Sequence, residues 1–474
     1  MRVAGAGAFL SAAAVVTAVS FVDGGFFPQD WLWITLVLCS LGGLALLLRD
    51  SVAVGRLELL TVAAFAALVA WTAFSATWSS APTESLHDAS RGLIYVACLL
   101  AFLLLVEPAS IGPLLAGVGA GATIVSAYSL GQRLAATHAS ALEGPIGYAN
   151  SLALLAAVAV VVALGLLVHS RNRVERALWA AAPVIAFSTL ALTQSRGVVL
   201  ALAVGLAVLF FLEPRRPELL SVVLVLTLPC AASAAFTVSK PALTDPSASP
   251  ADVTASGRWL GGALVLLVLV AAAGTLGFDP LARRLGRRRL TWALPLVFVV
   301  AVAGIAAVAV LGIDRALGPR GGYWRVAWHE FTGHPWVGSG AATFFRYWER
   351  TGARVGALDA HNLYLETLAE LGVVGLALVA CGLLAPLWSL RQRAHPLVAL
   401  ATAVYVAFLV HAGLDWDWEM PAATIPGILG AVALLCTYRL VRPPLELGVA
   451  GRCAVGTALL ALAVLAVLLR AFVA

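Results

Sequence analysis

The sequence predicts an all-α polytopic membrane protein, with about 14–15 transmembrane helices and a large extracytoplasmic loop containing short interfacial helices. Three observations predict it. The chain has 474 residues, 61% hydrophobic and only 11% charged, whereas a soluble domain carries about 25% charged residues. Its apolar runs are mostly about 16 to 24 residues long, the length that crosses a hydrocarbon core of roughly 30 Å. They do not alternate in the ten-residue segments, roughly, of a membrane β-barrel. Lipid is therefore the solvent for most of the chain.

Taken in order, the apolar spans begin near residues 5, 31, 59, 92, 111, 148, 177, 197, 218, 258, 290, 364, 397, 421 and 453. The first run, 5–22, lacks a clear small-x-small cleavage pattern before Asp23 and is followed by another span, so a helix is expected rather than a signal peptide. The stretch 177–212 would measure about 54 Å as one helix. It must fold back, and its polar break is 193–196, which places Arg196 at a tight outer hairpin.

Charge tests the scheme. With the N-terminus cytoplasmic, one alternation puts Arg49, Arg56, Arg171, Arg173, Arg176, Arg215, Arg216, the cluster 283–289, Arg391, Arg393, Arg439, Arg442 and Arg452 on the same face. The net charge of +6 is thus explained by orientation, and no nucleic-acid partner is expected. Lys240 is the one lysine, in a Pro/Ser/Thr-rich loop from which little chemistry is expected. The cysteines lie in or at the edge of apolar runs without metal-like spacing and are expected as packing residues. The outer face receives 78–91, 133–147, the Lys240 loop, 314–360 and 411–420.

Five outer segments carry candidate chemistry. In GGYWRVAWHEFTGHPWVGSG, Trp324, Trp328 and Phe331 form one aromatic face of a short helix, and Arg325 and His329 share another. The turn around His334, with Gly338 and Gly340, offers backbone amides to an anion. An interfacial anchor fits the same residues equally well. His361 opens an apolar helix, where an imidazole titrating near neutrality suits general-base work. A structural histidine is the commoner occupant of such a place. Glu366 and Glu370 share a face of that helix, and Glu370 lies inside the apolar run, where an ionisable group usually faces a polar cavity. Arg196 is suited either to snorkelling or to bidentate grip on a diphosphate. Arg133 and Asn150 flank one loop-to-helix junction, and HAGLDWDWEMP supplies His411, Asp415, Asp417 and Glu419. Asp415 and Asp417 could ligate a divalent cation, but satisfying polar loop groups is the better-supported role.

These residues resemble a known family. His361-Asn362, Leu365, Glu370, Gly372 and Gly375 are similar to the His-Asn/Ser-x-x-Leu…Glu-x-Gly-x-x-Gly signature of the O-antigen ligase and polymerase superfamily. Ser195-Arg196-Gly197 resembles its Ser-Arg-Gly element, and Arg325, Trp328, Pro335, Gly338 and Gly340 its Arg…Trp…Pro-x-x-Gly-x-Gly segment. Trp78-Ser79 with Pro82, and Asn150 at a helix start, have counterparts too. The resemblance implies N-terminal transmembrane helices 1–70, a ligase-like membrane core 71–421 including the extracytoplasmic loop 314–362, and C-terminal helices 422–474. It implies a metal-independent, inverting glycosyltransferase without cofactor, in a bacterial inner membrane. The enzyme would pass a glycan from a polyprenyl-diphosphate carrier to an acceptor hydroxyl at the extracytoplasmic face. Arg196, Arg325 and His361 would be catalytic, the arginines on the diphosphate and the histidine on the hydroxyl. Arg133, Asn150, Glu370, His334 and His411 would line the substrate site. The competing readings are a flippase for lipid-linked oligosaccharide and a non-catalytic scaffold. A transporter would favour repeated halves with broken spans, which the sequence lacks, and a scaffold predicts that replacing His361 or Arg196 changes only stability.

Overall fold

A computed structural model describes residues 3–285, 320–354, 356–392 and 394–473. The expected span near 290, the basic residues 287–289, Arg393 and the loop start 314–319 lie outside the described residues. Among the described residues, eleven helices are long and apolar enough to cross a membrane, and three shorter apolar helices, Gly5–Ser20, Arg196–Leu212 and Val398–Ala412, accompany them. In order these are α1 (Val3–Ser20), α2 (Pro28–Leu48), α3 (Arg56–Ser75), α4 (Pro82–Leu105), α5 (Ile111–Ala135), α6 (Ala149–His169), α7 (Arg173–Thr193), α8 (Arg196–Leu212), α9 (Arg216–Val238) and α10 (Pro250–Leu285). After two short helices, α11 (Arg320–Gly333) and α12 (Phe344–Glu349), come α13 (Leu363–Leu384), α14 (Val398–Ala412), α15 (Pro421–Tyr438) and α16 (Val449–Val473).

Helix α6 is the axis of the bundle: nearly every residue from Ser151 to Val168 is buried, against α5, α7, α8 and α14. Helix α1 packs along α5 because Gly117 and Gly121 leave no side chain between them and the turns around Phe9 and Val16. Helix α7 keeps Pro183 in its interior. Hydroxyls brace that region across to α9, where Ser188 lies 2.6 Å from Ser233 and 2.8 Å from Thr237 and Ser233 donates to the Val184 carbonyl. Helix α4 begins ten residues before the expected span near 92, since Pro82 and Glu84 occupy its first turn.

The two ends of the bundle differ. At one, Arg439 grips Glu58 at 2.6 and 2.9 Å and also donates to the Leu103 and Val106 carbonyls that end α4. Arg49 pairs with Glu107 there, and Arg452 closes the end of α2. A two-residue antiparallel pairing of Ala53–Val54 with Leu445–Glu446 straps the connections. The opposite end carries α11, α12 and the start of α13, which enclose a small core of Tyr323, Ala327, Phe344, Ala360 and Ala369.

Candidate functional site

The site is built on a break in α13. At Gly372 the backbone turns to φ 67°, ψ −167°, a region essentially reserved for glycine. The carbonyls freed by the break accept from a loop laid beside them: Ser339 N–H donates to Ala369 at 3.3 Å and Gly340 N–H to Glu370 at 2.8 Å. In return Val373 N–H donates to Pro335 at 3.0 Å. A side chain at Gly338 would strike the Glu370 carbonyl, one at Gly372 the Trp336 carbonyl, and one at Gly340 would come within 2.5 Å of Ser79. The Pro-x-x-Gly-x-Gly segment, the Glu-x-Gly segment and Trp78-Ser79 are therefore one interlocked piece.

Two carboxylates hold it. Glu370 accepts from the backbone N–H groups of Ala342, Thr343 and Phe344 at 2.8–2.9 Å. What Glu370 holds in this structure is thus the loop and the start of α12. Glu330 is almost wholly buried and accepts from Ser339 at 2.6 Å and Thr343 at 3.1 Å. Burial pushes its pKa up to about 7, against the pull of those hydroxyls and of Arg350. The buried stripe of α11 is Tyr323, Ala327 and Glu330, one residue displaced from the aromatic face expected at Trp324, Trp328 and Phe331. A carboxylate can sit there because two hydroxyls meet it, while Trp328 remains exposed.

His361 lies just before α13. Asn362 accepts from the Tyr364 and Leu365 N–H groups at 3.1 and 3.0 Å, capping the helix. Glu366 accepts from Ala360 N–H at 2.7 Å and fixes the preceding turn. His361 itself has φ 54°. Its ring lies against Tyr323, with centroids 5.0 Å apart, and Nδ1 is 3.2 Å from Asp359 Oδ1. Burial by itself would lower the pKa of this imidazole, but the Asp359 carboxylate outweighs it and the pKa is raised.

Asp415 is the hub beside this turn. It accepts from Arg320 at 2.6 Å, Asn150 at 2.6 Å and Tyr148 at 2.8 Å, so the Asn150 candidate meets the N-terminus of α11 through it. Asp417 is paired with buried His411 at 3.0 Å and accepts from Ser151 at 3.0 Å. Both oxygens of Asp415 are met by neighbouring donors, whereas the two donors of Asp417 both meet Oδ2 and its Oδ1 is buried without a partner among the described residues. A Cβ on Gly197 would lie 3.9 Å from Leu414, which brings the Arg196 hairpin against the same connection. Arg196 and Arg325 are both exposed, and neither has an ion-pair partner among the described residues. Arg325 lies on the outer side of α11, two residues beyond Tyr323.

The remaining candidates sit in local networks. Arg133 donates to the His138 and Ala141 carbonyls and to Ser140 Oγ, bracing its own loop. His334 is exposed and 3.4 Å from the Tyr347 hydroxyl. Residues absent from the candidate set also gather here. Arg91 is buried between Asp88 at 2.9 Å and Glu419 at 2.8 Å, at a cleft of about 590 Å³ that Glu366, Glu370 and Trp418 also line. Burial raises the Glu419 carboxyl to about 8 despite Arg91. The Asp88–Arg91 spacing is a sequence signal for a pair on one helix face, but its partner Glu419 is far along the chain.

Apolar spans around a buried axis, with charged networks gathered at the ends, define a polytopic α-helical membrane protein. Within that class, residues 256–380 match the family model described as O-Antigen ligase, a finding that supports the resemblance of its motifs to the O-antigen ligase/polymerase superfamily. The matched segment contains Arg325, Pro335, Gly338, Gly340, His361, Glu370 and Gly372, and leaves Ser195-Arg196-Gly197 outside. No curated protein matches the chain at a significant level.

Proposed function

We propose that this protein transfers a glycan from a polyprenyl-diphosphate carrier to an acceptor hydroxyl, as a ligase or polymerase of surface polysaccharide, at the extracytoplasmic face of a bacterial inner membrane. One observation carries the reading. Motifs distant in sequence lie at one end of the bundle: a Cβ on Gly197 of the Arg196 hairpin would lie 3.9 Å from Leu414, the neighbouring Asp415 binds Arg320 of α11, and Tyr323 of the same helix faces His361. The arginine-rich connections occupy the other end, and by the positive-inside rule that end is cytoplasmic.

In this reading the acceptor oxygen attacks the anomeric carbon from the face opposite the diphosphate. The carbon–oxygen bond to the carrier breaks and its electron pair stays on the diphosphate. The anomeric centre inverts. Arg196 and Arg325, both without an ion-pair partner among the described residues, supply fixed positive charge where negative charge develops. His361 takes the proton of the hydroxyl. The guanidinium groups do the work for which other lipid-linked glycosyltransferases recruit a divalent cation. Asn150, Glu370 and His411 act through the walls they hold, and Arg133 and His334 through the loops that rim the site.

The test is turnover by the intact protein in nanodiscs, with a polyprenyl-diphosphate-linked oligosaccharide and a hydroxyl acceptor, with and without chelator. Product that is insensitive to chelator is expected. Loss of product on chelation would remove the guanidinium mechanism, and transport of the lipid-linked glycan without any transfer would favour a flippase.

A further inference from the structure

The backbone of His361 is strained in a way that orients its ring. A left-handed φ of 54° at a residue with a Cβ costs on the order of 1–3 kcal/mol and persists only where the surroundings enforce it. Here Glu366 holds the Ala360 N–H on one side and Asn362 caps α13 on the other. In that pose Nδ1 faces Asp359, 3.2 Å from Oδ1 and 3.3 Å from the main-chain oxygen. Both are acceptors. Asp359 Oδ1 is buried without a formed hydrogen bond among the described residues, and Nδ1, 3.2 Å away, is the donor placed to meet it; a buried carboxylate oxygen left without a donor is costly.

We propose that Asp359 is a positioning residue for glycan transfer: it keeps the proton of the neutral imidazole on Nδ1, so that the Nε2 lone pair of His361 meets the acceptor hydroxyl. A neutral imidazole donates from one nitrogen and accepts at the other, and a carboxylate only accepts. The tautomer follows. As the acceptor oxygen bonds to the anomeric carbon, its proton passes to Nε2, the carrier diphosphate leaves with the bonding pair, and the imidazolium shares its charge with Asp359. Tyr323 of α11 packs on the ring and fixes its plane. Asp415, from the connection between α14 and α15, also acts on this imidazole, and Arg320 pairs with its charge.

This inference rests on the reading of His361 as the base, and one experiment separates the two. Transfer is measured in nanodiscs from about pH 5 to 9 for the wild type, Asp359→Asn, Asp359→Glu and His361→Ala. The base works when neutral, so the rate falls on the acid side of its pKa. Removing the carboxylate charge lowers that pKa and moves the acid limb to lower pH. Asp359→Asn should lower kcat about 10²-fold, leave KM for the donor within about twofold, and shift the limb downward. Asp359→Glu should recover part of kcat and keep the limb in place, a decision that stands even where the Asn variant fails to fold. A wild-type kcat and limb in Asp359→Asn, beside an inactive His361→Ala, would overturn the positioning role alone, as would a Glu variant with its limb displaced downward. An active His361→Ala would instead remove the base on which it rests.

Discussion

Glu330 shows how a single side chain can set a condition for the whole site. Its carboxyl is buried beneath Ser339 and Thr343 of the glycine-rich loop, and burial raises its pKa to about 7, above the ordinary value of about 4.3. Between those values the folded protein binds more protons than the unfolded chain, so stability falls as pH rises through that window. The expected result is a thermal midpoint in detergent that declines from about pH 5 to pH 8, with much of the decline removed in Glu330→Gln. Identical pH dependence in wild type and variant would show that Glu330 does not titrate there. The same loop places Ala342 at φ 54°, and Gln194 at φ 56° precedes the Ser-Arg-Gly hairpin. With His361, these left-handed residues fall within the segments that carry the family resemblance, where strain is commonly stored.

At the scale of elements, the interlock between the loop and the broken helix α13 decides whether the rim keeps its shape. Gly372 occupies backbone that only glycine adopts easily, and the Trp336 carbonyl fills the space where a Cβ would stand. Gly372→Ala should therefore cost on the order of 1–3 kcal/mol and lower transfer activity with it, whereas Gly43→Ala, at a helix position where nothing among the described residues lies within 4 Å of the added Cβ, should do neither. Chemical denaturation of both variants checks this. Equal stability would mean the loop re-forms without glycine. Much of this element was legible in the sequence, because Gly338, Gly340 and Gly372 stood at fixed spacing. Their purpose was not, since the atoms they admit belong to Glu370, Trp336 and Ser79, in other segments. Glu370 is expected to face a polar cavity and does line the cleft beside Arg91; that its carboxylate is also met by three backbone N–H groups of the loop had no local signal.

Across the whole molecule, hydropathy placed the spans well because the bilayer forces each to be a helix of bounded length. It failed where charge is paired in space. Helix α4 was expected to begin near residue 92 because Asp88 and Arg91 read as loop residues, yet both lie within it, Asp88 half-buried and Arg91 buried and held by Glu419 from the loop before α15. Positions of arginines along the chain gave the two-ended character of the bundle, since orientation acts on loops one at a time. The meeting of Arg320 with Asp415 and of Tyr323 with His361 depends on helix packing that no local pattern records. The most direct measurement of the central claim is glycan transfer in sealed proteoliposomes of known protein orientation, with lipid-linked donor in both leaflets and acceptor supplied only outside. Product is expected only when the His361 end faces the acceptor, and none from His361→Ala that remains folded. Equal product with the arginine-rich end outward, or from folded His361→Ala, would contradict it.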